Sequence, residues 1–337
     1  MQSAAAHRKE TSMRPLLALA LGLILLTPAA RAFPDRPITL ATGYAPGGST
    51  DIAARLLAER LAAQLGPQAR VVVENRPGAS GTVASDWLRR QPADGHTIML
   101  VESSSHAIAP SAVVGGTRYD PVKDFSHLGV IGLAPLVLVV NNDFPARTAP
   151  EVLARLRGAP ADAFTYATSG VGSIPHLAVE MLALDLGARF VHVPYRSGGQ
   201  MLTAIFQGQG QFGIAVLASA AQQVRDGMVR GIAVTGERRF PSFPDLPTLS
   251  ESGVKGYDLT TWNILLGPPG LPDGIQAALN RALVAALAEP ALRERLLTAG
   301  VEAWDRPNGP AEARAFLERE VEKFRMVVQR TGVKLEP

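Results

Sequence analysis

The feature that most limits what this chain can fold into is a repeated unit. An apolar strand-like run ends in a Gly/Ser loop, and the loop opens an amphipathic helix. It first occurs at Ile38 to Tyr44, which reads as a strand, followed by Ser49 to Leu65, which reads as a helix closed by Gly66-Pro67. Ile52, Leu56, Leu57 and Leu61 mark one apolar face of that helix. Val71-Val72-Val73, a helix over Gly81 to Arg90 and a strand over Thr97 to Val101 continue the series. A βαβαβ order implies a parallel sheet with helices on its faces.

Leu128 to Val140 is strand-like with Pro135 as an interruption, and reads as a crossing to a second lobe. Thr148-Ala149-Pro150-Glu151 carries a capping-box signature. A second alternating series follows, with strands at Phe164–Ala167, Phe190–Val193, Gln211–Val216 and Gly231–Thr235 and helices opening near Ser173, Gly198 and Ala218. Residues 237–258 are rich in Pro and Gly and read as a long connection. A strand at Thr260 to Leu266 would return the chain to the first lobe before helices at Pro272–Leu287, Pro290–Ala299 and Pro310–Arg330. The expected fold is α/β with two lobes, each a doubly wound, mostly parallel sheet. Lobe one takes residues 33–134 and 255–337, lobe two takes 135–254, and two crossing segments form the hinge.

The N-terminus sets the expected compartment. Arg8, Lys9 and Arg14 precede an apolar run of 11 residues from Leu16 to Leu26, and Ala30-Arg31-Ala32 gives a small-x-small cleavage pattern. The run is short of the roughly 20 residues that span a bilayer. Residues 1–32 are therefore expected to be a signal peptide cleaved after Ala32, with Met13 an alternative start, leaving a periplasmic chain. Removing them takes away four bases against Glu10 and leaves 29 basic and 29 acidic side chains from the 33 and 30 of the whole. No basic stripe with interleaved aromatics remains, so nucleic acid is not an expected partner. The absence of cysteine excludes disulfides, thiolate metal sites and cysteine nucleophiles.

Four loops are candidate site elements, because ligands of open parallel sheets bind outside the carboxyl ends of strands. Gly43-Tyr44-Ala45-Pro46-Gly47-Gly48-Ser49-Thr50-Asp51 joins the first strand to its helix. Its glycines let N–H groups face a crevice, and the helix N-terminus favours an anion. Gly43 and Gly48 are spaced as in a Walker A loop, but Ser49 stands where the lysine must be, which argues against a phosphate loop. An ordinary turn with Ser49 as N-cap fits equally well. Glu102-Ser103-Ser104-Ser105-His106 follows the third strand and offers hydroxyls to a carboxylate, or caps the next segment. Thr168-Ser169-Gly170-Val171-Gly172-Ser173-Ile174-Pro175-His176 opens a helix in the second lobe, with His176 read as a packed or capping residue. In Tyr195-Arg196-Ser197-Gly198, the loop backbone is expected to line the site while the Arg196 guanidinium is solvated. No G-x-S-x-G elbow, H-E-x-x-H or metal-ligand spacing among the six histidines supports an enzyme, a metal or another cofactor.

Eight segments in register then resemble one family. They are FPDRPITL (33–40), APGGSTDIAARLLAERL (45–61), VVVENRPGASGTVASD (71–86), PADGHTIML (92–100), YDPVKDF (119–125), HVPYRSGG (192–199), IAVTGERR (232–239) and FPDLPTLSESG (243–253). Together they make the chain from Phe33 to about Val333 similar to the Bug-type, TctC-like substrate-binding proteins of tripartite tricarboxylate transporters. The resemblance implies a two-lobed periplasmic protein that closes on a small carboxylate and delivers it to membrane permease subunits. It is expected to act as a monomer. A sensor docking on a signalling receptor is the alternative, and an exported serine hydrolase using Ser103–Ser105 with His106 or His176 a remote third. The resemblance places ligand contacts on Gly47, Gly48, Ser49, Thr50, Asp51, Ser103, Ser104, Thr168, Ser169, Gly170 and Ser173. Many relatives carry an acid where this chain has Ala215, so the resemblance implies an unaminated, partly apolar carboxylate, unless Glu102 or Asp51 supplies the missing acid.

Overall fold

The structure, a computed structural model, describes residues 33–336. The signal-peptide reading and its cleavage site lie outside the described residues.

The first series folds as expected. β1 (Ile38–Thr42) leads to α1 (Ser49–Leu65), β2 (Val71–Asn75), α2 (Thr82–Leu88) and β3 (Thr97–Glu102). β1 pairs in parallel with both β2 and β3. A π-helical turn at Ser104–Ile108 and the short α3 (Ala109–Ala112) follow β3 and lead to β4 (Ser126–Val140). The second series is α4 (Ala149–Leu156), β5 (Thr165–Thr168), α5 (Ile174–Leu186), β6 (Val191–Pro194), α6 (Gly198–Phe206), β7 (Phe212–Val216), α7 (Leu217–Arg225) and β8 (Arg230–Val234). The chain closes with β9 (Thr260–Gly267), α8 (Asp273–Ala288), α9 (Pro290–Thr298), the two-residue β10 (Glu302–Ala303) and α10 (Pro310–Thr331). The capping box at Thr148 and Glu151 forms as read.

The strands join in one curled sheet of order β2-β1-β3-β9-β4-β7-β5-β6, with β8 and β10 also paired to β4. β4 carries the crossing. Its first part, to Pro135, pairs with β9, and its second part, from Leu136, pairs with β7 and β8. Pro135 does not interrupt the strand. It stands where β4 changes neighbours, so its missing N–H costs little ladder bonding.

The sheet is mixed where a mostly parallel one is expected. β5 pairs in parallel with β6 and β7, but β9 runs antiparallel to β3 and β4, and β4 runs antiparallel to β7, β8 and β10. The cause is topological: β4 carries the chain out of the first series and β9 carries it back, so the two must run in opposite directions.

The return connection is tied to the outward one by Thr235, which is fully buried. Its hydroxyl donates to the Leu259 carbonyl (2.6 Å) and accepts from the Leu136 N–H (2.8 Å). Both crossing segments are thereby fixed at one point.

The apolar run Leu136 to Val140 reads as a strand buried on both faces. Leu136, Leu138 and Val140 join the larger core with Ile38, Leu100 and Trp262, whereas Val137 and Val139 pack with Ala215, Leu217 and Val234. This two-sided alternation decides which side chains of β7 reach the cleft.

Candidate functional site

The loop after β1 is set by close packing and by one asparagine. A Cβ on Gly43 would lie 2.6 Å from the Gly81 Cα, so only glycine lets these two backbone segments approach. The Asn75 amide donates to the Tyr44 carbonyl (2.9 Å) and to Asp51 (2.9 Å). Asp51 also accepts from the Gly47 N–H (3.0 Å) and pairs with Arg55 (2.9 Å). Burial works against its charge, but Arg55, the Gly47 N–H and Asn75 outweigh that and hold its carboxyl below the usual value. Asp51 therefore shapes the loop from within rather than facing the cleft.

Four helices of eight or more residues begin at one narrow space. Gly48 and Ser49 bring the N-terminus of α1, and Ile174 and Pro175 that of α5. Gly198 brings that of α6, and Val216 with Ser219 that of α7. Each start presents N–H groups and the positive end of a helix dipole, the standard recipe for holding an anion. None of the residues lining this space is Lys or Arg.

The two sides touch around it. The Ile174 N–H donates to the Ser104 hydroxyl (2.9 Å), and the Ser80 hydroxyl donates to the Val171 carbonyl (2.7 Å). The two series thus meet beside the space.

The structure sorts the expected residues. Tyr44, Gly48, Ser49, Ser104 and Ser169 line the space. Pro46 and Gly47 are exposed on the loop, and Gly47 adopts φ +81°. Thr50 is buried in the first turn of α1. Ser103 turns away from the cleft to Thr261 of β9, 2.7 Å off. The Thr168 hydroxyl sits 2.7 Å from His192 Nε2 and accepts from the Gly170 N–H, holding the loop from behind. Ser173 caps α5 and donates to the Gly170 carbonyl (2.7 Å). Gly172 adopts φ +74° and its N–H donates to His176 Nδ1. His176 stacks on His192 with ring centroids 4.3 Å apart, a packed histidine as read. Burial holds it below the usual histidine value.

Ser197 caps α6 through the Gln200 N–H. Tyr195 reaches towards Gln209 (3.4 Å) and Arg196 is exposed, so neither side chain enters the space. Ala215 needs correction. Its side chain is fully buried in the second core cluster, and the neighbouring Val216 is the one that faces the cleft. The implication drawn from Ala215 about ligand amines therefore loses its footing.

Of the lining residues, Ser219 lay in no candidate loop; Glu102, Ile174, Pro175 and Gly198 lay in candidate loops without being named as contacts, and Val216 stood beside the expected Ala215. Gly198, Val216 and Ser219 were findable from the rule that sites gather at strand ends. Glu102 is the only ionisable carboxyl lining the space. It is 4% exposed, with Oε1 accepting from the Tyr44 hydroxyl (2.7 Å) and Oε2 from Ser103 (3.2 Å) and Thr261 (3.3 Å). Burial pushes its carboxyl up, and hydrogen bonds from Ser104, Tyr44 and Ser103 pull the other way. Among the described residues no group of three His, Asp or Glu could hold a metal, and no helix is long and apolar enough to cross a membrane.

Comparison with known proteins bears on this geometry. The model of a family described as the tripartite tricarboxylate transporter family receptor matches residues 53–333. A UPF0065 protein of Bordetella pertussis is 31% identical over 322 residues, which is 95% of this chain and 97% of its own. The solved periplasmic binding protein BugD superposes with a TM-score of 0.85 at 30% identity, covering 90% of this chain and all of its own. The R. palustris protein Rpa4515, solved with adipate, gives 0.84 at 30% identity over the same shares.

Proposed function

The chain belongs to the tripartite tricarboxylate transporter receptor family, and from that premise we propose that it captures a small organic carboxylate between its lobes and passes it to membrane permease subunits. The observation that carries this reading is the meeting of four helix N-termini, three from the second series and one from the first, on a space without a Lys or Arg. Such a site holds a carboxylate through N–H groups and hydroxyls rather than through a fixed cation. The ligand then bridges the lobes and stabilises closure, which a permease can sense as a shape. The adipate held by the R. palustris relative supports the ligand class.

In this reading lobe one is residues 33–134 with 255–337, lobe two is 135–254, and β4 with the segment around Thr235 and Leu259 forms the hinge. The protein works in the periplasm after loss of residues 1–32. The candidate contacts are Gly48, Ser49, Ser104, Ser169, Ile174, Gly198 and Ser219, with Tyr44 at the side.

The test is a thermal-shift screen of organic acids on protein recovered from the periplasm of an expressing host. A ligand at 100 times its dissociation constant adds about 2.7 kcal/mol to stability. At least one mono- or dicarboxylate is expected to raise the melting temperature by several degrees. No shift with any carboxylate, together with a shift by uncharged solutes, contradicts the reading.

A further inference from the structure

We propose that the C-terminal tail is a strap on the site: Leu335, anchored to the first series, bears on the loop that opens α5 and slows release of the bound carboxylate. This rests on the carboxylate reading above and adds control of that same site by a residue outside it.

The tail leaves α10 at Gly332, and its side chains alternate. Val333 and Leu335 are buried, while Lys334 and Glu336 are exposed. Such alternation marks an extended segment with one face on the protein. Its backbone pairs in parallel with the residues that follow α3. The Leu335 N–H donates to the Ala112 carbonyl (2.8 Å), and the Val114 N–H donates to the Leu335 carbonyl (2.9 Å). Ala112 ends α3, which continues the π-helical turn opened by Ser104, and Ser104 lines the cleft. The strap is therefore fastened to one wall of the site.

Its side chain reaches the other wall. A Cβ on Gly172 would collide with Leu335 Cδ1, so the leucine lies directly against the Gly172 backbone. Gly172 stands at φ +74° between Ser169 and Ile174, both of which line the space. Two polar contacts cross at the same loop, from the Ser80 hydroxyl to the Val171 carbonyl and from the Ile174 N–H to the Ser104 hydroxyl. Water replaces those bonds when the walls part. It does not replace the contact of Leu335, whose apolar surface is then exposed at a cost. Leu335 does not line the space, so it acts through Gly172 as a positioning residue. A contact made after the walls meet acts on escape of the ligand rather than on encounter.

The experiment follows binding of succinate, glutarate and adipate by stopped-flow fluorescence. Leu335→Ala is expected to raise the dissociation rate about tenfold and to leave the association rate within about twofold. Leu335→Met, which keeps the volume, is expected to stay within about threefold of wild type in both rates. A second readout uses wild type alone: amide hydrogen exchange with and without the tightest of the three acids. The Leu335 and Val114 amides are expected to slow about tenfold or more, whereas the Gly332 amide, bonded to the Val328 carbonyl at the end of α10, changes by less than about threefold. Release from folded Leu335→Ala at the wild-type rate overturns this inference and leaves the carboxylate reading intact. A loss carried by the association rate alone overturns it too. Should the variant not fold, exchange decides: tail amides slowed no more than Gly332 overturn the inference. If none of the three acids binds wild type, both readings fail.

Discussion

Replacing Gly198 by alanine is expected to weaken carboxylate binding by about 100-fold, equivalent to about 2.7 kcal/mol. Gly198 is the first residue of α6 and lines the cleft. A Cβ there would sit 2.5 Å from Ser219 Oγ and 2.7 Å from Ser219 Cβ, closer than side chains approach. Ser219 lies in the first turn of α7, so relief of the clash must part the starts of two helices that together form the anion site. Overpacking of this kind also costs about 1–3 kcal/mol of stability, so the loss of binding is read against the variant's own melting curve. The control is Gly198→Ala combined with Ser219→Gly, which deletes both atoms the new methyl would meet. Because Ser219 is itself a candidate contact, the pair is compared with Ser219→Gly alone, against which Gly198→Ala is expected to cost less than half the binding free energy it costs in wild type. An equal cost in both backgrounds would show that Gly198 acts through something other than this contact.

The second large effect is acid instability centred on His106. This ring is fully buried, tilted against Tyr119 and Phe125 with centroids 5.4 and 5.0 Å away, and its Nδ1 lies 2.9 Å from the Ser105 hydroxyl. Its Nε2 is buried without a hydrogen-bond partner among the described residues. Burial, helped by the charge of His127, pushes it down to about 3 from an ordinary value of 6.5. A group whose folded value lies below its unfolded value leaves the unfolded chain holding more protons between the two. Stability is therefore fully present above about pH 6.5 and falls as pH drops towards 3. By pH 4.5 the loss from this residue is about 2–3 kcal/mol.

His127 and His192, each held at about 4 mainly by burial, act in the same direction. Glu102, raised by burial, acts in the opposite one. Urea unfolding of wild type and His106→Leu at pH 7.5 and 4.5 separates the contributions. The variant is expected to lose about 2–3 kcal/mol less than wild type over that interval. Equal losses would mean that His106 is not the neutral buried ring described.

The repeated unit of strand, loop and helix was legible because its signals are local. Ser49 to Leu65 is helical as read, although Gly48 rather than Ser49 stands at its N-cap and no side chain caps it, and α6 starts at Gly198 as read. Within that helix the buried face is carried by Ala53, Ala54, Leu57 and Leu61, while Ile52 and Leu56 are only half-buried, since small residues allow the closer packing. What local signals cannot give is the direction of a side chain that depends on a distant segment. Ser103 and Ser104 are adjacent, yet the first faces Thr261 of β9 and the second meets Ile174 of α5. Ala215 and Val216 are adjacent, and their pairing with β4 decides which of them looks into the cleft. Glu102 was read as the start of a loop, but β3 runs one residue further than the apolar run suggests and ends on it in the cleft. The two residues of β10 carry no periodic signal at all.

The central claim is that one small carboxylate binds between the lobes through its charged oxygens. The most direct test is calorimetric titration of the protein with the acid giving the largest thermal shift, beside the methyl ester of that acid. One site per chain is expected, with the ester about 100-fold weaker or undetectable, because an ester oxygen is a poorer acceptor for the N–H groups at the four helix starts. Binding of the ester as tightly as the acid, or a stoichiometry other than one, would contradict the account.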